Sequence, residues 1–296
     1  MVVQEEATFE GFSCIKLSND LISLWITKDF GPRILGLCLN DLDNLMAVLP
    51  DAVIPVNGAE DYSLRGGHRL WYGPENPHIS YIPDDQPVDI AAIKNGLEIN
   101  QKTDVPTGIQ KSIRVVLDEK LALIKLDHKL INKGINDFFL SPWAITMLKP
   151  GGIGFIPMQA EHDDPFGVLP NRQLVFWPYT RINSPYLEIK DQAVGVKATL
   201  SDGALKIGLP NPDNWLAYGI NNVLFVKRAE YQKNANYIDR GASSQIYCNP
   251  DLIELETLGP ALNLGPGESI LHQEVWQIYN QGTWPAEILE IYQSFK

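Results

Sequence analysis

Short runs of alternating apolar and polar residues, each closed off by glycine, proline, asparagine or aspartate, recur along almost the whole chain. No other feature constrains the fold as strongly, because period-two alternation with β-branched and aromatic residues is the pattern of half-buried strands. The clearest run is Leu121 to Asn132. Ala122, Ile124, Leu126, His128 and Leu130 share one face there, and Lys125, Asp127 and Lys129 share the other. Similar runs are Phe12 to Leu17, Leu21 to Thr27, Ile34 to Leu39, Ile109 to Leu117, Ala193 to Leu200, Asn222 to Lys227, Leu252 to Leu258 and Ile270 to Tyr279. So many strands predict an all-β fold of stacked antiparallel sheets. Only Trp284-Pro285 to Phe295 has a proline near a first turn followed by apolar residues at helical spacing, which predicts one short C-terminal helix. A chain of 296 residues is a size that β-sandwiches fill as one unit, so a single domain over 1–296 is expected.

Charge narrows the partners. The formal net charge is −12, and no lysine- or arginine-rich run offsets it locally. Phosphate backbones and anionic membrane surfaces would be repelled, which argues against nucleic acid and membrane partners. Cys14, Cys38 and Cys248 are odd in number and far apart, without disulfide or metal-ligand spacing. The first eleven residues carry three glutamates and no apolar run, so no secretory signal or spanning helix is expected there. Together these features read as a cytoplasmic protein. No phosphate-binding glycine loop, zinc pattern or Ser-His-Asp signature occurs.

Two stretches break the strand pattern. Pro50 to Pro87 is rich in Pro, Gly, Asp and Tyr, and Pro150 to Asn183 contains Gly151-Gly152, His162-Asp163-Asp164-Pro165, Pro170-Asn171-Arg172 and Trp177-Pro178-Tyr179. Long loops inside a compact fold are usually functional, and these two could line one cleft. Within the first lies Arg65-Gly66-Gly67-His68-Arg69-Leu70-Trp71-Tyr72-Gly73-Pro74-Glu75, an imidazole between two guanidiniums followed by an indole and a carboxylate. Adjacent glycines permit positive φ or close backbone approach, so the run reads as a shaped loop at the site. A second candidate is Leu252 to Pro260, where alternation places Glu254 and Glu256 on one face, roughly 7 Å apart along the strand. They are either a solvated face or carboxylates at a cleft mouth held by arginine.

Leu255-Glu256-Thr257 with Pro260-Ala261 resembles the segment that carries the base glutamate in aldose 1-epimerases, and Gly265-Pro266-Gly267-Glu268 with Glu274-Val275-Trp276 resembles their closing strands. The Gly-Gly-His-Arg-Leu-Trp run, Trp143-Ala144-Ile145-Thr146 with Pro150-Gly151-Gly152, and Trp177-Pro178-Tyr179-Thr180 resemble an uncharacterised branch of the galactose mutarotase-like superfamily. The resemblance runs from about Ile15 to Tyr279. It implies an all-β supersandwich with a sugar-binding cleft and a small carbohydrate as ligand. It also implies acid/base ring opening without a cofactor, with Glu256 as base and His68 as acid.

The chain departs from active epimerases at Trp143-Ala144-Ile145-Thr146, where they carry a second histidine. His128 could substitute for it or be a satisfied core residue. His78 and His162 fall in loops, and His272 at an ordinary strand position. Arg65, Arg69, Arg172, Lys206, Lys227 and Arg240 cluster near the motifs. Each either pairs with an internal acid such as Asp61, Glu75, Glu254 or Asp239, or is open to an anionic sugar. Lys206 stands out because its strand is apolar. The expected binding set is Arg65, Arg69, Arg172, Lys206, Asp61 and Glu254, with Trp71 as the stacking platform. Two other functions stay open: a non-catalytic sugar-binding module, and glycoside cleavage by Glu254 and Glu256. An Arg69 paired with either glutamate would count against catalysis.

Overall fold

Each alternating run leaves a strand with one apolar face, and in the computed structural model these faces close on each other in two antiparallel sheets. Residues 1–158 and 164–296 are described, so His162 lies outside the described residues. The first sheet runs in hydrogen-bonded order Val3–Phe9, Phe12–Ser18, Ile22–Thr27, Arg33–Leu39, His68–Gly73, Phe138–Leu148, Ile253–Leu258, Ser244–Cys248, Leu205–Leu209 and Val175–Phe176. Leu262–Leu264 is added to the start of Phe138–Leu148. The second runs Leu187–Ile189, Ala193–Lys197, Ile153–Pro157, Trp215–Ile220, Val223–Arg228, Ser269–Tyr279, Leu123–Asn132, Ile109–Leu117, Gly96–Asn100 and Asp89–Ile93. One apolar core drawn from both sheets, from Leu17 to Ile278, fills the space between them. The helix Ala286–Ser294 lays Ile288, Ile291 and Tyr292 against Phe155, Trp215 and Leu224. Among the described residues no helix is long and apolar enough to cross a membrane.

The stretch from Pro50 to Pro87 is not the open loop its composition suggests. Its segment Tyr62–Gly66 pairs with Val48–Ile54 in a separate two-stranded ribbon. His68–Gly73 is then a central strand, flanked by Arg33–Leu39 and Phe138–Leu148. Gly66 and Gly67 make the transition at φ of +82° and +73°. A Cβ on Gly66 would sit 2.1 Å from the Ala47 carbonyl oxygen, and one on Gly67 2.3 Å from that of Ile34. The paired glycines thus serve both left-handed backbone and close approach, but they deliver the chain into a sheet. Arg33, 1% exposed, fastens the excursion by donating to the Leu64 and Gly66 carbonyls, the Tyr62 hydroxyl and Asp84.

Candidate functional site

Because His68–Gly73 is a strand, its side chains alternate between two compartments. His68, Leu70 and Tyr72 point into the space between the sheets, while Arg69 and Trp71 point to the other side. The neighbouring strands repeat the division. Trp143 and Ile145 lie beside Trp71 and Arg69, Glu256 pairs across from Ile145, and Glu254 and Tyr247 follow in the next row. Lys206 joins them from Leu205–Leu209, and Tyr179 and Tyr81 close the sides from flanking segments. They surround a cleft of about 410 Å³ whose walls also include Glu75, Asn249 and Leu252. Its floor is aromatic: the Trp71 and Trp143 rings meet edge to face at 5.4 Å, and Tyr81 lies 5.1 Å from Trp71.

The charged groups of the cleft are arranged as pairs. Arg69 lies over the Trp71 ring at 4.0 Å and donates to Glu254 Oε1 at 3.4 Å. Lys206 sits between the rings of Trp143 and Trp177, 4.6 and 4.8 Å from their centroids, and donates to Glu256 Oε2 at 2.8 Å. The same oxygen accepts the Trp143 indole N–H at 2.6 Å. Among the described residues, Glu256 Oε1 and Arg69 Nε are buried without a hydrogen-bond partner. Burial pushes the Glu254 carboxyl up to about 7; the Glu256 charge adds to the rise, and Arg69 and Lys206 oppose it. The Tyr81 hydroxyl donates to Glu75 at the exposed rim, and burial and that bond raise its pKa. Burial raises Tyr179 and Tyr247 as well.

Of the expected site residues, Arg69, Trp71, Lys206 and Glu254 meet in this cleft. Glu256 faces the same side but is fully buried, sealed under Lys206 and Trp143, so of the two strand glutamates it is Glu254 that lines the cleft. His68 does not reach it at all. The imidazole is fully buried on the opposite face of the sheet, where alternation must put a side chain adjacent to Arg69. Arg65 pairs with Asp85 and lies over the Phe30 ring at 4.3 Å. Arg172 donates to the Asp191 carbonyl beside a separate depression with Pro157 and Pro210. Asp61 accepts the Val56 backbone N–H. These three lie outside the cleft, each bonded to another group of the chain. Lys227 is a core residue, and the Arg240 carbonyl accepts from Gln173. Tyr81 and Tyr247 are cleft residues that the sequence reading did not single out. Alternation in Ser244–Cys248 puts Tyr247 beside Glu254, but that run of five is too short to stand out.

The histidines instead form a polar network between the sheets. His128 Nδ1 faces the His272 carbonyl at 3.1 Å and must carry a proton there, so its Nε2 accepts from His68 Nε2 at 2.7 Å. His68 Nδ1 then accepts from the Thr146 hydroxyl at 2.9 Å. Burial lowers the pKa of all three imidazoles, with His272 at about 3. His128 is therefore a satisfied core residue, and His272, which bonds Thr257 at 2.8 Å, belongs to the same network. Ligand atoms of His68, His128 and Glu274 lie within 4.8 Å of one another. Two nitrogens on a tetrahedral zinc would stand about 3.3 Å apart. At 2.7 Å they share a proton, and the Lys227 ammonium already occupies Glu274 at 2.8 Å.

No family model matches the sequence, and no curated protein matches it. Solved structures do match. A TPR-domain containing protein from Parabacteroides distasonis aligns over 93% of this chain at a TM-score of 0.64 and 13% identity; the chain spans 49% of that protein's length. A galactose mutarotase-like protein from Lactobacillus casei aligns over 90% of this chain and 100% of its own, with a TM-score of 0.59 and 10% identity. Another from Clostridium acetobutylicum aligns over 95% and 99%, at 0.53 and 11%. The fold is the galactose mutarotase-like supersandwich.

Proposed function

We propose that the cleft binds an uncharged carbohydrate and that Glu254 exchanges a proton with it, interconverting anomers by opening the ring. The observation that carries this reading is a carboxyl on the wall of an aromatic-floored cleft, pushed up to about 7 and so present in both protonation states near neutrality. Trp71, Trp143 and Tyr81 offer flat surfaces to the apolar face of a pyranose. Glu254 replaces the buried His68 as the group that protonates the ring oxygen while the C1–O5 bond breaks. Glu75, at the rim, takes the proton of the anomeric hydroxyl as the aldehyde forms. Lys206 is matched by Glu256, and Arg69 by Glu254 whenever that carboxyl is ionised, which favours a neutral sugar over a phosphate or uronate.

The test is anomer exchange across a panel of aldoses, followed by NMR exchange spectroscopy. Glu254→Gln should slow exchange by about 10²-fold or more while calorimetric affinity changes little. Exchange at the wild-type rate in that variant would end the proposal. A specific observation favours a second reading, a sugar-binding module without catalysis: no histidine among the described residues lines the cleft, and Arg69 already occupies one oxygen of Glu254. Saturable binding with no acceleration of exchange by the wild-type protein would establish it. Glycoside cleavage by the glutamate pair loses its basis, since Glu256 is sealed.

A further inference from the structure

Behind the cleft lies a charge that the proposed chemistry does not use. Lys227, on Val223–Arg228 of the second sheet, is fully buried and reaches across the core to the back of the first. Its ammonium donates to the Ala144 carbonyl at 2.9 Å, the Leu255 carbonyl at 3.0 Å and the Thr146 hydroxyl at 3.2 Å, and lies 2.8 Å from Glu274 Oε1. Ala144 stands between Trp143 and Ile145, and Leu255 between Glu254 and Glu256. The two peptide groups it holds are thus those that carry the floor of the cleft, on two adjacent strands.

Cohesion does not account for this arrangement, because a buried ion pair is commonly no more stabilising than apolar residues of the same volume. We infer that Lys227 is a positioning residue for the cleft, its ammonium clamping Phe138–Leu148 to Ile253–Leu258 from behind and setting where Glu254 and Glu256 stand. The inference rests on the reading of this cleft as the functional site. The groups facing the ammonium are Glu274 and His272 on one strand, His128 on the next, and His68, Thr146 and Thr257 from the first sheet. Glu274 is held in turn by the Trp276 indole at 2.8 Å and the Thr257 hydroxyl. The charges of Glu256 and Glu254 both favour the charged form of Lys227.

Two measurements test this without a sugar, so their failure is separate from a failure of sugar binding. In the wild-type protein, scalar coupling through the hydrogen bond should connect Lys227 Nζ to the carbonyl carbons of Ala144 and Leu255. Its absence would overturn the clamp. Lys227→Met combined with Glu274→Gln removes both charges together. In the folded double variant Glu254 is free to shift away from Arg69 and Lys206, the cations that hold its pKa down, so its titration midpoint, read by carbon NMR, should rise by about half a pH unit or more. His128→Gln disturbs the same network without touching either carbonyl and should leave that midpoint in place. A folded double variant with an unmoved midpoint would make Lys227 merely structural.

Discussion

Lys206 shows how one side chain can decide what a neighbour is able to do. Its ammonium lies between two indoles and covers Glu256, so a carboxylate exposed by strand alternation becomes a buried ion-pair partner. Removing the cation leaves that carboxylate uncompensated, at a cost of about 3 to 5 kcal/mol. Lys206→Met should show this loss in urea unfolding, and Lys206→Met with Glu256→Gln should regain most of it. His68 is the contrasting case. Its hydrogen bonds run to Thr146 and His128, away from the cleft. His68→Gln should lower stability, while the folded fraction exchanges anomers at the rate of the unmodified protein.

At the scale of the element, the His68–Gly73 strand determines the site. It enters the sheet through two left-handed glycines whose missing Cβ atoms let the backbone pass within contact of Ala47 and Ile34. Gly67→Ala places a methyl group 2.3 Å from a backbone oxygen that cannot swing away. A loss of roughly 2 to 4 kcal/mol is expected by thermal or urea unfolding, with the Arg69 and Trp71 walls displaced. Composition alone suggested a loop here, because glycine, arginine, histidine and tryptophan together look like a binding segment. Read instead with a period of two, the same residues separate into His68, Leu70 and Tyr72 on one face and Arg69 and Trp71 on the other. The Ile253–Leu258 strand was legible in just this way, and Glu254 and Glu256 do share a face.

For the whole molecule, the buried network makes stability depend on pH. Burial lowers His68, His128 and His272 below the usual histidine range, so as pH falls below 6.5 the unfolded chain takes up protons there that the folded chain does not. Their contribution is complete above pH 6.5 and lost as pH falls. Glu254 has the opposite sign. Its raised pKa means that the folded state holds the extra proton, so its contribution is present at low pH and lost as pH rises through about 7. Three imidazoles against one carboxyl should make the unfolding free energy fall on acidification below pH 6.5. Glu254→Gln removes the opposing group, so a steeper fall in chemical denaturation at each pH would confirm the assignment, and an unchanged slope would refute it.

Local patterns were enough for the all-β class, nine of the longer strands and the shared face of the two glutamates from alternation, and for the C-terminal helix from a proline followed by helical spacing. Which face meets the other sheet is not local. Leu123–Asn132 buries His128 because Ser269–Tyr279 and the first sheet close over it, and His68–Gly73 is central because Arg33–Leu39 and Phe138–Leu148 flank it. The sequence could therefore name Arg69, Trp71, Lys206 and Glu254 of the cleft but not separate accessible from sealed. That distinction lies in contacts such as Lys206 on Glu256, which join residues fifty positions apart and exist only once Leu205–Leu209 and Ile253–Leu258 stand in one sheet.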